Sequence, residues 1–331
     1  MRRFIALFAC GLFIVAASLA QAAEVAIYIS PSGDSKASGN DEGKALDSLQ
    51  VAIERVLAQK GPDITARRIL VLPGHYVGQF AVIEDLSDGI PLVIAAAKGG
   101  RPVFDGNGEG RTWLVLKSST GKPTRVTIEG LEVTNYVTAI SLNGDRDSER
   151  ASNSENIVRG NVFRKIGQIA YPSGNPSTAV IRLVNSKHNT IIQNHFVDIR
   201  NITRCSKLHA IYMAHYSSNN LIEHNTFERG CGATLKTRDA SNDNVIRNNR
   251  FIEQRDSLLV DSFCDKNVRG EDCTKKTNEC PSWGNTFEAN TAERMGPRAR
   301  KAPIAILGPN NPTGCPLPRT KERLNAAQNR L

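Results

Sequence analysis

A single repeated unit constrains this chain more than any other feature. The pattern Asn-x4-Asn-x-Phe occurs at Asn156–Asn161–Phe163, Asn189–Asn194–Phe196, Asn220–Asn225–Phe227 and Asn244–Asn249–Phe251. A fifth copy, Asn285–Asn290, carries Ala292 in place of Phe, and a degenerate earlier copy at Arg125–Val133 has Gly130 where the second Asn belongs. The first Asn residues are 33, 31, 24 and 41 apart, so 24 residues is the bare period and the longer intervals carry insertions. Self-similarity at such periods means a solenoid. Each unit holds a strand of four to five alternating residues, such as Leu221-Ile222-Glu223-His224, too short for a helix pair. Asn tolerates the left-handed backbone needed at a tight corner, and its amide reaches the equivalent Asn one coil away, about 4.8 Å along the stack. The Phe then points inward and stacks on its neighbours. Leu at fixed intervals, as a leucine-rich repeat would need, is absent. The expected fold is all-β, a single-stranded right-handed parallel β-helix.

An open solenoid end exposes strand edges and core, so it needs a plug. Ala45–Ala58 supplies one, with a helical stripe of Leu46, Leu49, Ala52, Ile53, Val56 and Leu57. Ile69–Tyr76 reads as the first full coil, closed by Pro73-Gly74, and Pro91–Ala95 as the next strand.

Met1-Arg2-Arg3, an apolar run from Phe4 to Leu19 and the small residues Ala20 and Ala22 form a secretory signal, expected to be removed after Ala22. The chain is therefore expected to be periplasmic or secreted, with no membrane span after processing. Cys10 leaves with the signal, and Cys205, Cys231, Cys264, Cys273, Cys280 and Cys315 remain. An even count in an oxidising compartment reads as disulfides, and no paired zinc-ligand spacing competes. Cys205 and Cys231 are 26 residues apart, close to the bare period, and are expected to bridge adjacent coils. The other four are expected to pair among themselves, fixing the polar insertion Asp265–Ser282 and the tail.

The net charge of +9 is concentrated late: from Thr291 onward, eight basic residues face only Glu293 and Glu322. With Pro297, Pro303, Pro309, Pro312, Pro316 and Pro318, residues 296–331 read as a solvated basic tail, with attraction to an acidic polymer as the alternative, leaving 23–295 as the β-helix domain. Aromatic residues do not interleave with these charges, which argues against nucleic acid. Phosphate-binding loops and nucleophile elbows are absent.

Two stretches resemble the pectate-lyase-like superfamily of secreted β-helix proteins. Ile27-Tyr28-Ile29-Ser30-Pro31-Ser32-Gly33-Asp34, followed by Ser48–Ile53, is similar to the opening of many bacterial β-helix polysaccharide-degrading enzymes, and the repeats from Arg125 to Ala292 are similar to their coils. The resemblance implies action on polysaccharide, but the superfamily holds lyases, hydrolases, epimerases and proteins without known activity.

Function on a solenoid lies on an outer face. Aligning Leu183, Met213, Leu235 and Val260 as inward residues puts Arg182, Tyr212, Thr234 and Leu259 in one outward column, and Val184, Ala214, Lys236 and Asp261 in the next. His209, His215 and Arg238 fall at the strand ends, and Ala214 forms a floor for a sugar. Cleavage of an acidic polysaccharide by β-elimination needs a cation against the uronate carboxylate and a base for the C5 proton. Lys236, Arg238 and Arg182 suit the first role; Tyr212, His209 or His215 suit the second; Asp261 is an expected substrate contact. The expected partner is an acidic polysaccharide, handled by a monomer. A C5-epimerase, a glycoside hydrolase and a non-catalytic polysaccharide-binding β-helix are the alternatives. The Asp or Glu cluster of calcium-dependent β-helix lyases is missing beside Asp261, and so are the three Asp of inverting hydrolases. Calcium is left open, and Asp256 with Asp261 is too thin for glycoside hydrolysis.

Overall fold

A computed structural model describes residues 23–86, 88–168, 178–264, 279–310, 312, 314–316 and 322–331. The expected signal segment 1–22, Cys273 and most of the insertion Asp265–Ser282 lie outside the described residues. Among the described residues the strands form three long parallel sheets, one of ten strands and two of eight. The chain visits the three sheets in turn, and each strand pairs with its counterpart one coil on: Ile191 with Ile222, Ile222 with Ile246, and Phe196 with Phe227. Parallel crossovers of this kind are right-handed almost without exception. The result is the expected right-handed parallel β-helix.

The repeat explains the coil directly. Two ladders of buried Asn run along the axis. In one, the amide of Asn156 donates to Asn189 at 2.9 Å, Asn189 to Asn220 at 2.8 Å, Asn220 to Asn244 at 2.9 Å and Asn244 to Asn285 at 3.0 Å. The second runs through Asn161, Asn194, Asn225, Asn249 and Asn290 and ends on Asn329. Each carboxamide oxygen also accepts the backbone N–H of the preceding Asn, so buried corner groups are satisfied along the stack. Phe163, Phe196, Phe227 and Phe251 stack inside with centroids 4.8–5.0 Å apart. Where Ala292 replaces the next Phe, Phe287 of the ten-stranded sheet sits 5.8 Å from Phe251.

One detail differs from expectation. The left-handed residue is the one before each ladder Asn: Gln193 (φ 57°), His224 (φ 54°), Asn248 (φ 55°) and Ala289 (φ 50°). The ladder Asn must turn its amide inward to reach the next coil, so the outward residue ahead of it takes the turn.

The cap is a helix over Leu49–Ala58, with Ser48 accepting the Val51 N–H at 3.3 Å and Leu49, Ala52, Ile53 and Val56 buried. Gln50 accepts the Val82 N–H at 2.8 Å, so the helix pairs an otherwise open strand edge. At the other end, the segment read as a solvated tail continues the solenoid. Ile304–Ile306 pairs with Leu259–Asp261, and Leu324–Ala327 pairs with Asn285–Glu288. Cys205–Cys231 is bridged as expected, with Cα atoms 5.6 Å apart, and Cys280–Cys315 joins the insertion to the C-terminal segment.

Candidate active site

The expected residues gather on the outer face of the eight-stranded sheet that runs from Ala81–Glu84 to Ile304–Ile306. Backbone register puts Ser141, Arg182, Tyr212, Lys236 and Val260 in one outward row, and Asn143, Val184, Ala214, Arg238 and Ser262 in the next. Lys236 therefore stands beside Tyr212 and not beside Ala214. Ala214 is fully buried, packed in a small apolar cluster with Ala179 and Tyr212 apart from the main core, so it is no open floor.

Asp261 corrects the expectation of an outward substrate contact. It pairs with the inward Thr237, is 3% exposed, and accepts from Thr237 Oγ1 at 2.8 Å and Arg323 Nε at 3.0 Å. Arg323 also donates to the Leu307 and Gly308 carbonyls, so this buried pair fastens the last coil. A charge turned into a core must be neutralised there, and Arg323 does so.

Tyr212 is the centre of the outward cluster. His209 lies flat against it, with ring centroids 5.8 Å apart and planes 15° apart, and the Lys236 ammonium sits 6.0 Å from the Tyr212 ring centre. Burial raises the Tyr212 pKa, against the opposing charge and hydrogen bond of Arg238. Burial lowers the Lys236 pKa, helped by the positive charges of Arg238 and Lys207 and opposed by Glu279 and Asp261. Lys236 makes no ion pair among the described residues, whereas Arg238 donates to both carboxylate oxygens of Glu279, Nε to Oε2 at 2.5 Å and Nη2 to Oε1 at 2.8 Å. Burial works against the Arg238 charge, but the bonds to Glu279 overcome it and raise its pKa. Arg182, on the other side of Tyr212, donates to Ser141 Oγ at 3.1 Å.

The two histidines are structural neighbours of the cluster. His209 Nδ1 donates to the Ala233 carbonyl at 2.6 Å, and burial, with Lys236 nearby, lowers its pKa to about 3. It is a neutral ring that props Tyr212. His215 is a buried corner residue (φ 52°) whose Nδ1 meets Asp239 Oδ2 of the next coil at 2.6 Å.

Glu279, Arg146 and Lys207 were not signalled by the repeat. Glu279 arrives from the insertion and is 5% exposed; it also accepts the Cys264 N–H at 2.9 Å and faces Arg146 at 3.5 Å. The one available hint was its place beside Cys280, a bridged residue that fixes the segment. Among the described residues, His215, Asp239 and Glu279 bring ligand atoms within 4.8 Å of one another. They do not fit a calcium ion, because both Glu279 oxygens already accept from Arg238 and Asp239 accepts from His215 and the Cys280 N–H. Farther along the same sheet, a hollow of about 320 Å³ opens beside Glu84, Lys117, Ser119 and Asn143.

No family model matches the chain, and no curated protein matches it by sequence. Solved structures do. An alginate lyase from Paenibacillus sp. str. FPU-7 superposes with a TM-score of 0.56 at 13% identity, over 85% of this chain and 92% of that one. The tailspike protein of E. coli bacteriophage HK620, solved in complex with a pentasaccharide, gives 0.50 at 14% identity over 87% of this chain, which spans 55% of the tailspike chain. Pectate lyase Pel9A gives 0.42 at 15% identity, over 83% and 63%. No helix among the described residues is long and apolar enough to cross a membrane. Identities this low speak to architecture: the chain is a right-handed parallel β-helix protein, built on the fold that the alginate lyase and the tailspike share.

Proposed function

We propose that this protein is an exported enzyme that cleaves a uronate-containing polysaccharide by β-elimination on the outer face around Tyr212 and Lys236. One observation carries the reading: adjacent strands place a lysine whose pKa is lowered beside a tyrosine whose pKa is raised. Environments that push two groups apart in this way mark a base and an acid. In this reading Lys236, having lost its proton, takes the C5 proton. The C4–O bond breaks as a C4=C5 double bond forms, and the Tyr212 hydroxyl donates its proton to the departing oxygen. Arg182 and Arg238 flank Tyr212 and oppose the charge that builds on the uronate carboxylate. The sequence alone favoured Lys236 for the carboxylate; the absence of an ion pair on Lys236 among the described residues, together with its lowered pKa, supports the base role instead. The signal pattern of residues 1–22, with its expected cleavage point after Ala22, and the Cys205–Cys231 and Cys280–Cys315 bridges support export.

Incubation with a panel of uronate polymers tests this. Elimination yields an unsaturated sugar with new ultraviolet absorbance and shorter fragments. Altered composition without cleavage would mean an epimerase, saturated fragments a hydrolase, and an intact but bound polymer a binding protein.

A further inference from the structure

The buried carboxylate of Glu279 serves none of the steps above, yet it lies against their machinery. It reaches the sheet from outside the repeat, on the segment held by Cys280–Cys315. Among the described residues its neighbours include Arg238, Tyr212 and Lys236 of the sheet, Cys264 after it, His215 and Asp239 of the corner, and Arg146 of the 144–152 loop. The segment is docked by two further bonds, from the Cys280 N–H to Asp239 at 3.0 Å and from the Ala240 N–H to the Cys280 carbonyl at 2.9 Å. A two-pronged bond from one carboxylate fixes the plane of a guanidinium. Without it, Arg238 would keep its rotamer freedom and a half-buried charge without a partner.

Resting on the lyase reading, we propose that Glu279 is a positioning residue: it locks the Arg238 guanidinium against the Tyr212 hydroxyl and cancels one positive charge of the site. Segment 279–282 is then a working part of the site: the strands around Tyr212 supply Arg182, Lys236 and Arg238, and Glu279 brings the carboxylate that orients Arg238. Lys236 is left with the Tyr212 ring and no ion pair among the described residues.

The test uses Glu279→Gln, Glu279→Asp, Arg238→Gln and the double variant Glu279→Gln/Arg238→Gln in the full chain. In protein labelled at tyrosine Cζ, the Tyr212 resonance, assigned by its loss in Tyr212→Phe, moves in Glu279→Gln. In the double variant it moves no further than in Arg238→Gln alone. On the polymer that the wild type cleaves, Glu279→Gln lowers kcat about 10-fold or more, the scale of a misplaced catalytic group. KM stays level or falls, since a site that has lost a negative charge holds a polyanion no worse. The pH profile moves, and Glu279→Asp recovers part of kcat. An unmoved Tyr212 resonance, additive effects of the two substitutions, or a loss confined to KM would overturn the assignment. If the wild type cleaves no polymer, the lyase reading falls by itself, while the resonance still decides whether Glu279 sets the surroundings of Tyr212.

Discussion

Replacing Asn225 by Ala tests the physical account of the coil most directly. Its side chain is 1% exposed and makes four hydrogen bonds: Oδ1 accepts from Asn194 N and Asn194 Nδ2, each at 3.0 Å, while Nδ2 donates to the Ile191 carbonyl at 2.8 Å and to Asn249 Oδ1 at 3.1 Å. Asn249 Oδ1 keeps the Asn225 backbone N–H at 2.9 Å, and Asn194 Nδ2 keeps the Val158 carbonyl at 2.8 Å. The Asn194 N–H and the Ile191 carbonyl lose this partner where water does not reach. An unsatisfied buried group costs about 1–3 kcal/mol, so Asn225→Ala should cost about 3–5 kcal/mol once the weakened Asn194 amide is included. Asn329→Ala is the internal control. It removes bonds to Asn290 and Phe287 at the open end of the same ladder, where the side chain is only part-buried and water can substitute. Its cost should be about 1 kcal/mol. Urea unfolding at unchanged slope reads both as midpoint shifts. Equal losses, or a loss under about 1 kcal/mol at Asn225, would refute the claim that the ladder satisfies buried corner groups.

Lys236→Ala and Tyr212→Phe should each lower turnover about 100-fold or more while keeping the wild-type circular dichroism, with a stability cost for the lysine on the order of 0.5 kcal/mol. Normal activity in both would move the site elsewhere. If Lys236 is the base, turnover should rise with pH through a limb that lies below the ordinary lysine value of about 10.4, and Lys236→Arg should abolish that limb. His209 is neutral in the fold with its pKa lowered to about 3, while the unfolded chain binds its proton below about 6.5. In that window the unfolded state holds more protons, so stability should fall as pH drops from about 6.5 toward 3, by up to about 1.4 kcal/mol per pH unit. His209→Phe should flatten that dependence in acid unfolding curves, and an unchanged slope would count against burial of a neutral ring. Cys205 and Cys231 close a loop of 26 residues, so removing both as Ala should cost about 3 kcal/mol in thermal or urea unfolding; no change would mean the loop is held by other contacts.

The repeat was legible because it is local and periodic: the same Asn and Phe recur at fixed offsets, and each lies beside its own copy one coil away. The degenerate last copy was not read. Leu324–Asn329 lacks both the first Asn and the Phe, and only backbone pairing with Asn285–Glu288 reveals it. On the eight-stranded sheet that carries Tyr212 and Lys236 the insertions set the register, and two slips followed. Leu235 pairs with Ile211 and not Met213, a slip of two that kept Lys236 outward but changed its neighbour to Tyr212. Leu235 also pairs with Leu259 and not Val260, a slip of one, which turned Asp261 from the surface into the core. Glu279 was beyond reach by such counting, because a long insertion and a disulfide bring it to Arg238 from outside the repeat. Periodicity along one chain determines the coil, its ladders and its bridged neighbours Cys205 and Cys231. Which outward side chains become neighbours depends on how each insertion sets the strand that follows it, and only the folded chain decides that.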